Sequence, residues 1–196
     1  MLISMVFTAT ALPRTKEKTG QLETKLREAR EIPAKLDVLV QLVTKYRKED
    51  PEKAQDYGEE ALRILENHPD DKQKVKILNG LSWAYGEQSE YGQALDAGNR
   101  AETLAVRIGA KQDRAVALST LANIYLNMSL FHKALDYSLK ATKASETIGY
   151  EKGWASALVS TARLQRRLKE YDKALANYKK ALELTQKLGN RIGEAK

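Results

Sequence analysis

Residues 111–150 read KQDRAVALSTLANIYLNMSLFHKALDYSLKATKASETIGY, and the forty before them, 71–110, read DKQKVKILNGLSWAYGEQSEYGQALDAGNRAETLAVRIGA. Laid over one another they pair Leu81 with Leu121, Tyr85 with Tyr125, Tyr91 with Phe131, Ala94 with Ala134, Leu95 with Leu135, Ala101 with Ala141 and Gly109 with Gly149. The same step of 40 extends outward in both directions, bringing in Ala54 and Ala174, Ala61 and Ala181, Tyr171, Leu175 and Gly189. Self-similarity at a fixed period of this size is the mark of a repeat array.

Each unit is helical twice. Leu118, Leu121, Ala122, Tyr125 and Leu126 fall at the i, i+3, i+4, i+7, i+8 spacing of one helix face. Residues 127–130 then fit a tight turn. A second helix is predicted from Phe131 through Ala134, Leu135, Leu139 and Ala141 to Ile148, ended by Gly149, which takes the left-handed conformation at least cost. Ala122, Ala134 and Ala141 mark places where helix backbones approach closely. A larger side chain there would overpack the contact by about 1–3 kcal/mol. The fold class that follows is all-α: an α-solenoid of antiparallel helix pairs.

The run Leu121, Ala122, Tyr125, Phe131, Ala134, Ala141, together with Leu81, Ser82, Tyr85, Tyr91, Ala94 and Ala101, resembles the tetratricopeptide repeat family. That family's usual unit has about 34 residues. The longer form here, closing on Arg107-Ile108-Gly109, Thr147-Ile148-Gly149 and Lys187-Leu188-Gly189, is similar to the arrays of bacterial signalling proteins such as sensor kinases and cyclases. The resemblance covers Lys35 to Lys196. It implies a right-handed superhelix and a non-catalytic scaffold or sensory module that binds a protein or peptide; the alternatives are a regulatory array controlling a DNA-binding output and a self-associating array.

The expected organisation is a hydrophobic N-terminus over 1–12, a capping helix within 13–34, four units at about 35–70, 71–110, 111–150 and 151–192, and the start of a truncated fifth unit at 193–196. Met1 to Ala11 is either the remnant of a secretory signal, which places the chain in the periplasm, or an ordinary hydrophobic segment, which leaves it in the cytoplasm. Leu22, Leu26 and Ala29 give the capping helix its apolar stripe. Asp50-Pro51 shortens the turn of the first unit and sets Pro at the opening of its second helix. In the fourth unit Thr161, Ala162 and Gln165 replace Leu, a small residue and Tyr, so its first helix is expected to pack less well.

Composition narrows function by exclusion. The 196 residues include no Cys and two His, which removes disulfide scaffolds, thiol nucleophiles and zinc ribbons. No stretch reaches the 18 or more apolar residues of a membrane span. The net charge of +7 divides as +3 over residues 1–50, −4 over 51–110, +2 over 111–150 and +6 over 151–196. Such alternation is a poor match to the continuous basic stripe of a nucleic-acid binder. There is no phosphate loop, no pair of histidines at helical spacing and no nucleophile–base set, so no catalytic residue, metal site or cofactor is assigned. His68 and His132 read as solvated, and Asp70-Asp71 as a turn and helix cap.

What remains is a groove. Stacked units expose their first helices on a concave face suited to peptides. The repeat phase puts Thr44, Trp83, Asn123 and Arg163 in one row there, flanked by Asn79, Glu87, Ser119, Asn127, Arg166 and Arg167. An indole to anchor, an amide for main-chain hydrogen bonds and a guanidinium for a carboxylate suit a peptide that is acidic or ends in a free carboxylate. Trp154, beside Gly153, is expected to pack on the preceding unit. The apolar residues Leu175, Ala181, Leu182 and Leu188 at the end of the array offer a face for a homodimer.

Overall fold

The computed structural model describes residues 13–194, with side chains from Thr19 to Gly189. The N-terminal segment Met1 to Ala11 lies outside the described residues. The described chain is helical throughout: α1 (Pro13–Glu28), α2 (Ile32–Glu49), α3 (Pro51–Asn67), α4 (Asp71–Glu87), α5 (Tyr91–Arg107), α6 (Lys111–Asn127), α7 (Phe131–Thr147), α8 (Glu151–Arg167) and α9 (Tyr171–Glu194).

Local chemistry fixes the helix ends. The Asp50 carboxylate accepts from the Lys53 amide and Pro51 opens α3, while Asp70 accepts from the amides of Lys72 and Gln73 at the start of α4. These caps satisfy donors that a helix start leaves free. Later turns use a different device. At each, the residue after the last turn adopts a left-handed conformation: Ser89, Gly109, Ser129, Gly149 and Lys169, with φ of 63°, 68°, 59°, 66° and 64°. The next amide reaches back five residues, as from Ala110 to the Ala105 carbonyl and from Glu170 to that of Gln165, closing the helix as a Schellman motif.

The helices form two layers. α2 touches α4, α4 touches α6 and α6 touches α8, whereas α3, α5, α7 and α9 meet only helices of the other layer. Crowding one layer and spreading the other curves the array, with α2, α4, α6 and α8 on the inside. Between the layers lie Leu39, Leu42, Leu78, Leu81, Leu118 and Leu121, all buried against Ala54, Ala61, Ala94, Ala101, Ala134 and Ala141, which have no exposed surface. α1 packs across α2 at one end through Leu22 and Leu26. Its Glu23 carboxylate accepts from the hydroxyls of Tyr46 (2.7 Å) and Tyr57 (3.1 Å).

Two local expectations are corrected. α8 is not loosened by its polar residues. Thr161 is fully buried and lies 2.8 Å from the Ser138 hydroxyl, and buried Gln165 accepts from Asn177 Nδ2 at 2.8 Å. Each polar group meets a polar partner on the facing helix, so burial carries little penalty. The second correction concerns Gly189. α9 runs through it to Glu194, without the left-handed turn that Gly109 and Gly149 make.

Candidate functional site

The inner face is built around Trp83, which α4 holds half-buried. The Arg47 guanidinium and the Lys48 ammonium, both from the last turn of α2, lie 5.0 Å from the centroid of its ring. Cations over an indole face are attracted by its quadrupole. The indole Nε1 is buried without a hydrogen-bond partner.

Beside this stack is a cavity of ≈ 180 Å³, walled by Arg47, Trp83, Ser119, Asn123, Tyr150 and Lys152. Ala115, Val116, Thr120, Ser145, Ser156 and Ser160 complete it, the Thr120 hydroxyl donating to the Val116 carbonyl at 3.1 Å. None of these residues is acidic. Burial pushes the Arg47 guanidinium down from its ordinary value, offset by the nearby Tyr150, and among the described residues no carboxylate pairs with it. By contrast Arg100, Arg107 and Arg114 are paired with Asp96, Asp71 and Glu102. A half-buried cation without a counter-ion has lost water and gained no charge in return. Tyr150 reaches the wall because Gly153 leaves room: a Cβ there would collide with the Tyr150 ring.

An adjoining niche brings Glu87 and Asn127 to Trp83 and Asn123. Of the row read from repeat phase, then, Trp83, Asn123 and Ser119 share one wall, with Glu87 and Asn127 at its edge. The others lie apart. Thr44 donates its hydroxyl to the Val40 carbonyl (2.8 Å). Asn79 is buried, its Nδ2 on the Asp113 carbonyl at 3.1 Å. Arg163 and Arg166 are exposed along α8, and the Arg167 guanidinium lies 5.3 Å from the Phe131 ring centroid. The Trp154 ring lies beneath Lys180 of the same unit, 4.4 Å from centroid to Nζ.

Among the described residues no cluster of three or more His, Cys, Asp or Glu could hold a metal ion, and no helix is long and apolar enough to cross a membrane. Residues 43–105 and 113–187 match the sequence model of the tetratricopeptide repeat. The chain belongs to the tetratricopeptide repeat family.

Solved structures similar to this tetratricopeptide array include a Rap protein complexed with competence and sporulation factor, at TM-score 0.82 and 16% identity over 88% of this chain and 50% of that one. Aspartyl phosphate phosphatase F from Bacillus subtilis gives 0.77 and 17%, over 90% and 50%. A signal transduction ATPase with a tetratricopeptide repeat sensor, from Pyrococcus horikoshii, gives 0.70 and 20%, over 90% and 28%. The array thus spans half or less of these proteins, and at such identities the likeness is one of fold. No curated protein sequence matches it.

The repeat row missed Arg47, Lys48, Tyr150 and Lys152. For Arg47 and Lys48 a signal existed: they follow Thr44 by three and four residues, one turn along the same face. Tyr150 had none. It stands in a turn where the preceding repeat has Ala110, and only the curvature of the tetratricopeptide array brings it to Arg47.

Proposed function

We propose that this chain is a non-catalytic interaction module that holds an acidic peptide segment in its concave groove, with one carboxylate entering the cavity beside Trp83. The observation that carries this reading is Arg47: half-buried, stacked on an indole, without an acidic partner, and opening on a cavity with Lys152, an amide and several hydroxyls. Those groups are donors, and charge-assisted hydrogen bonds to a carboxylate are about twice as strong as neutral ones. Arg163 and Arg166, further along the same layer, add positive charge for an extended segment and steer its approach. Glu87 at the edge sets a limit on where acidic residues sit. The complex of a Rap protein with competence and sporulation factor supports a ligand-holding role for a fold of this kind.

The experiment is a titration with a capped tetra-aspartate peptide, followed by the Trp83 indole resonance and by calorimetry. Saturable binding that weakens at least about tenfold in Arg47→Gln and with rising salt is expected. An indole resonance that does not move, or an affinity unchanged by Arg47→Gln, rejects the reading.

We also infer that the array is the sensory part of a larger signalling protein. The tetratricopeptide repeat sensor named in the ATPase from Pyrococcus horikoshii supports this, and a membrane span followed by a kinase or cyclase in the same open reading frame would establish it.

A second reading, self-association, is favoured by α9. Tyr171, Leu175 and Leu182 are 61%, 55% and 58% exposed, while Phe131, Leu135 and Thr142, one repeat earlier, are partly covered by α8. Sedimentation at several concentrations tests it: Leu175→Lys with Leu182→Lys abolishes a concentration-dependent dimer, and a wild-type chain monomeric throughout rejects it.

A further inference from the structure

A second cavity, ≈ 420 Å³, lies on the other side of α6 from the groove, where the first turns of α6 diverge from the last turns of α7. Its floor is apolar, made by Leu118, Ala144 and Ile148; its rim carries Lys111, Arg114, Lys140 and Lys143. Arg114 is paired with Glu102 at 3.4 Å and Lys140 with Asp136 at 2.7 Å. Lys111 and Lys143 have no carboxylate partner among the described residues, so the rim keeps an excess of positive charge.

The repeat supplies a comparison within one molecule. The equivalent cleft of the preceding unit, ≈ 320 Å³, is lined by Lys74, Leu78, Arg100 and Leu104, each 40 residues before its counterpart. The third unit's cleft is larger, and Ala144 stands where the second and fourth units have Leu104 and Leu184. In the fourth unit, the place of Arg114 is taken by Trp154. Its indole lies under Lys180, the counterpart of Lys140, at 4.4 Å from ring centroid to Nζ. The fourth unit therefore supplies, from its own chain, an aromatic ring between the two helices and beneath a lysine. The third unit has the same leucine floor, Ala144 in place of Leu184 and no ring at the place of Trp154; its lysine, Lys140, lies instead over the Tyr137 ring of its own helix, 4.9 Å from Nζ to the centroid.

We propose that the cleft between α6 and α7 is a docking site for an aromatic side chain, flanked by acidic residues, on a partner's peptide segment. The ring lies on Leu118 and Ala144, Lys140 turns from Tyr137 to cover it as Lys180 covers Trp154, and the flanking carboxylates meet Lys111 and Lys143. The volume is in the range of pockets that enclose a compact ligand group. Aromatic anchors in such pockets carry much of the energy of protein interfaces, and a cation over the ring adds to it.

The test uses the full chain and two probes, the capped peptide Glu-Asp-Trp-Asp-Glu and indole-3-acetate, followed by the methyl resonances of Ala144 and Ile148. The peptide is expected to shift both in a saturable way, and its Gln-Asn-Trp-Asn-Gln analogue to bind at least about fivefold more weakly, since the rim cations lose their partners. Arg114→Trp installs the fourth unit's own ring and Ala144→Leu restores the second unit's filling. Both reproduce residues that neighbouring units already fold with, and each is expected to weaken the peptide at least about tenfold. Trp83→Ala, in the groove, is expected to leave this site unchanged. Shifts absent up to about 5 mM peptide, at the weak end of specific binding, overturn the proposal. So does an affinity indifferent to Arg114→Trp, or a cleft that takes indole-3-acetate and not the peptide.

Discussion

Gly98 on α5 lies so close to Leu121 on α6 that a Cβ would come within 2.7 Å of Leu121 Cδ2. One repeat earlier Gly58 meets Leu81 in the same way, at 2.5 Å. One repeat later the pair changes at both places: Ser138 replaces the glycine and Thr161 the leucine, and their hydroxyls bond at 2.8 Å. The interface between units is thus built from matched pairs, a leucine into a glycine notch twice and a hydrogen bond once. Thr161→Leu alone should overpack against Ser138 and cost about 1–3 kcal/mol. Adding Ser138→Gly recreates the notch and should recover at least half of that loss, a coupling readable from urea denaturation in a double-mutant cycle. Additive costs would show that the two positions do not act as a pair.

The docking of α1 should depend on pH from both sides. The Tyr46 hydroxyl holds the Glu23 carboxyl below its ordinary value, with Tyr57 and Lys53 adding to it against the cost of burial. A depressed carboxyl stabilises the fold above its unfolded value, near 4.5, and that stability is lost as pH falls through the folded value. Tyr57 is shifted the other way, pushed up to about 12 from 10.0 by burial and by Glu23. Its contribution is complete below pH 10 and lost as pH rises toward 12. Protection of the amides of Thr19 to Glu28, measured as exchange relative to the unfolded chain at the same pH, is expected to fall below about pH 4.5 in the wild type. In Glu23→Gln that acid-side change should disappear, with faster exchange already at neutral pH; an unaltered acid profile would rule Glu23 out as its cause.

Asn79 separates groove from core. Its Nδ2 ties α4 to the Asp113 carbonyl at the start of α6, and its Oδ1 is buried without a partner. Asn79→Ala should therefore cost about 1–2 kcal/mol of stability and leave the affinity for tetra-aspartate within about twofold. A selective loss of affinity at unchanged stability would instead put Asn79 on the ligand.

The repeat made the fold legible because a 40-residue period repeats each packing contact along the chain. Ala94, Ala134 and Leu121 announce a helix pair wherever they recur. Substitutions within the register were harder to read. Thr161 and Gln165 look like damaged core positions until Ser138 and Asn177, 23 residues before and 12 after, are seen to face them. The groove was legible in its middle, at Trp83, Ser119 and Asn123, which helical phase alone aligns. Its cationic wall was not, because Arg47 and Tyr150, 103 residues apart, meet only through the curvature of three stacked units. Left-handed turns at Ser89, Ser129 and Lys169 were also hidden, since none of these residues prefers that conformation.

Those turns yield the final expectation. The junctions after α5 and α7 place glycine at the left-handed position, while those after α4, α6 and α8 place Ser89, Ser129 and Lys169 there, at φ near 60°. The hydrogen bonding is the same at both kinds, from Tyr150 to the Ser145 carbonyl and from Glu170 to that of Gln165. Only the side chain differs, and a Cβ in this conformation costs about 1 kcal/mol or more. Lys169→Gly should relieve part of that strain and raise stability by up to about 1 kcal/mol, less the entropy the freer unfolded chain gains. Gly149→Ala should lower it by about 1 kcal/mol, although nothing lies within 4 Å of the added methyl, because its cost is in the backbone alone. Paired thermal and urea unfolding of the two variants measures both. If Gly149→Ala proved neutral, the turn between α7 and α8 would have to be held in some other conformation.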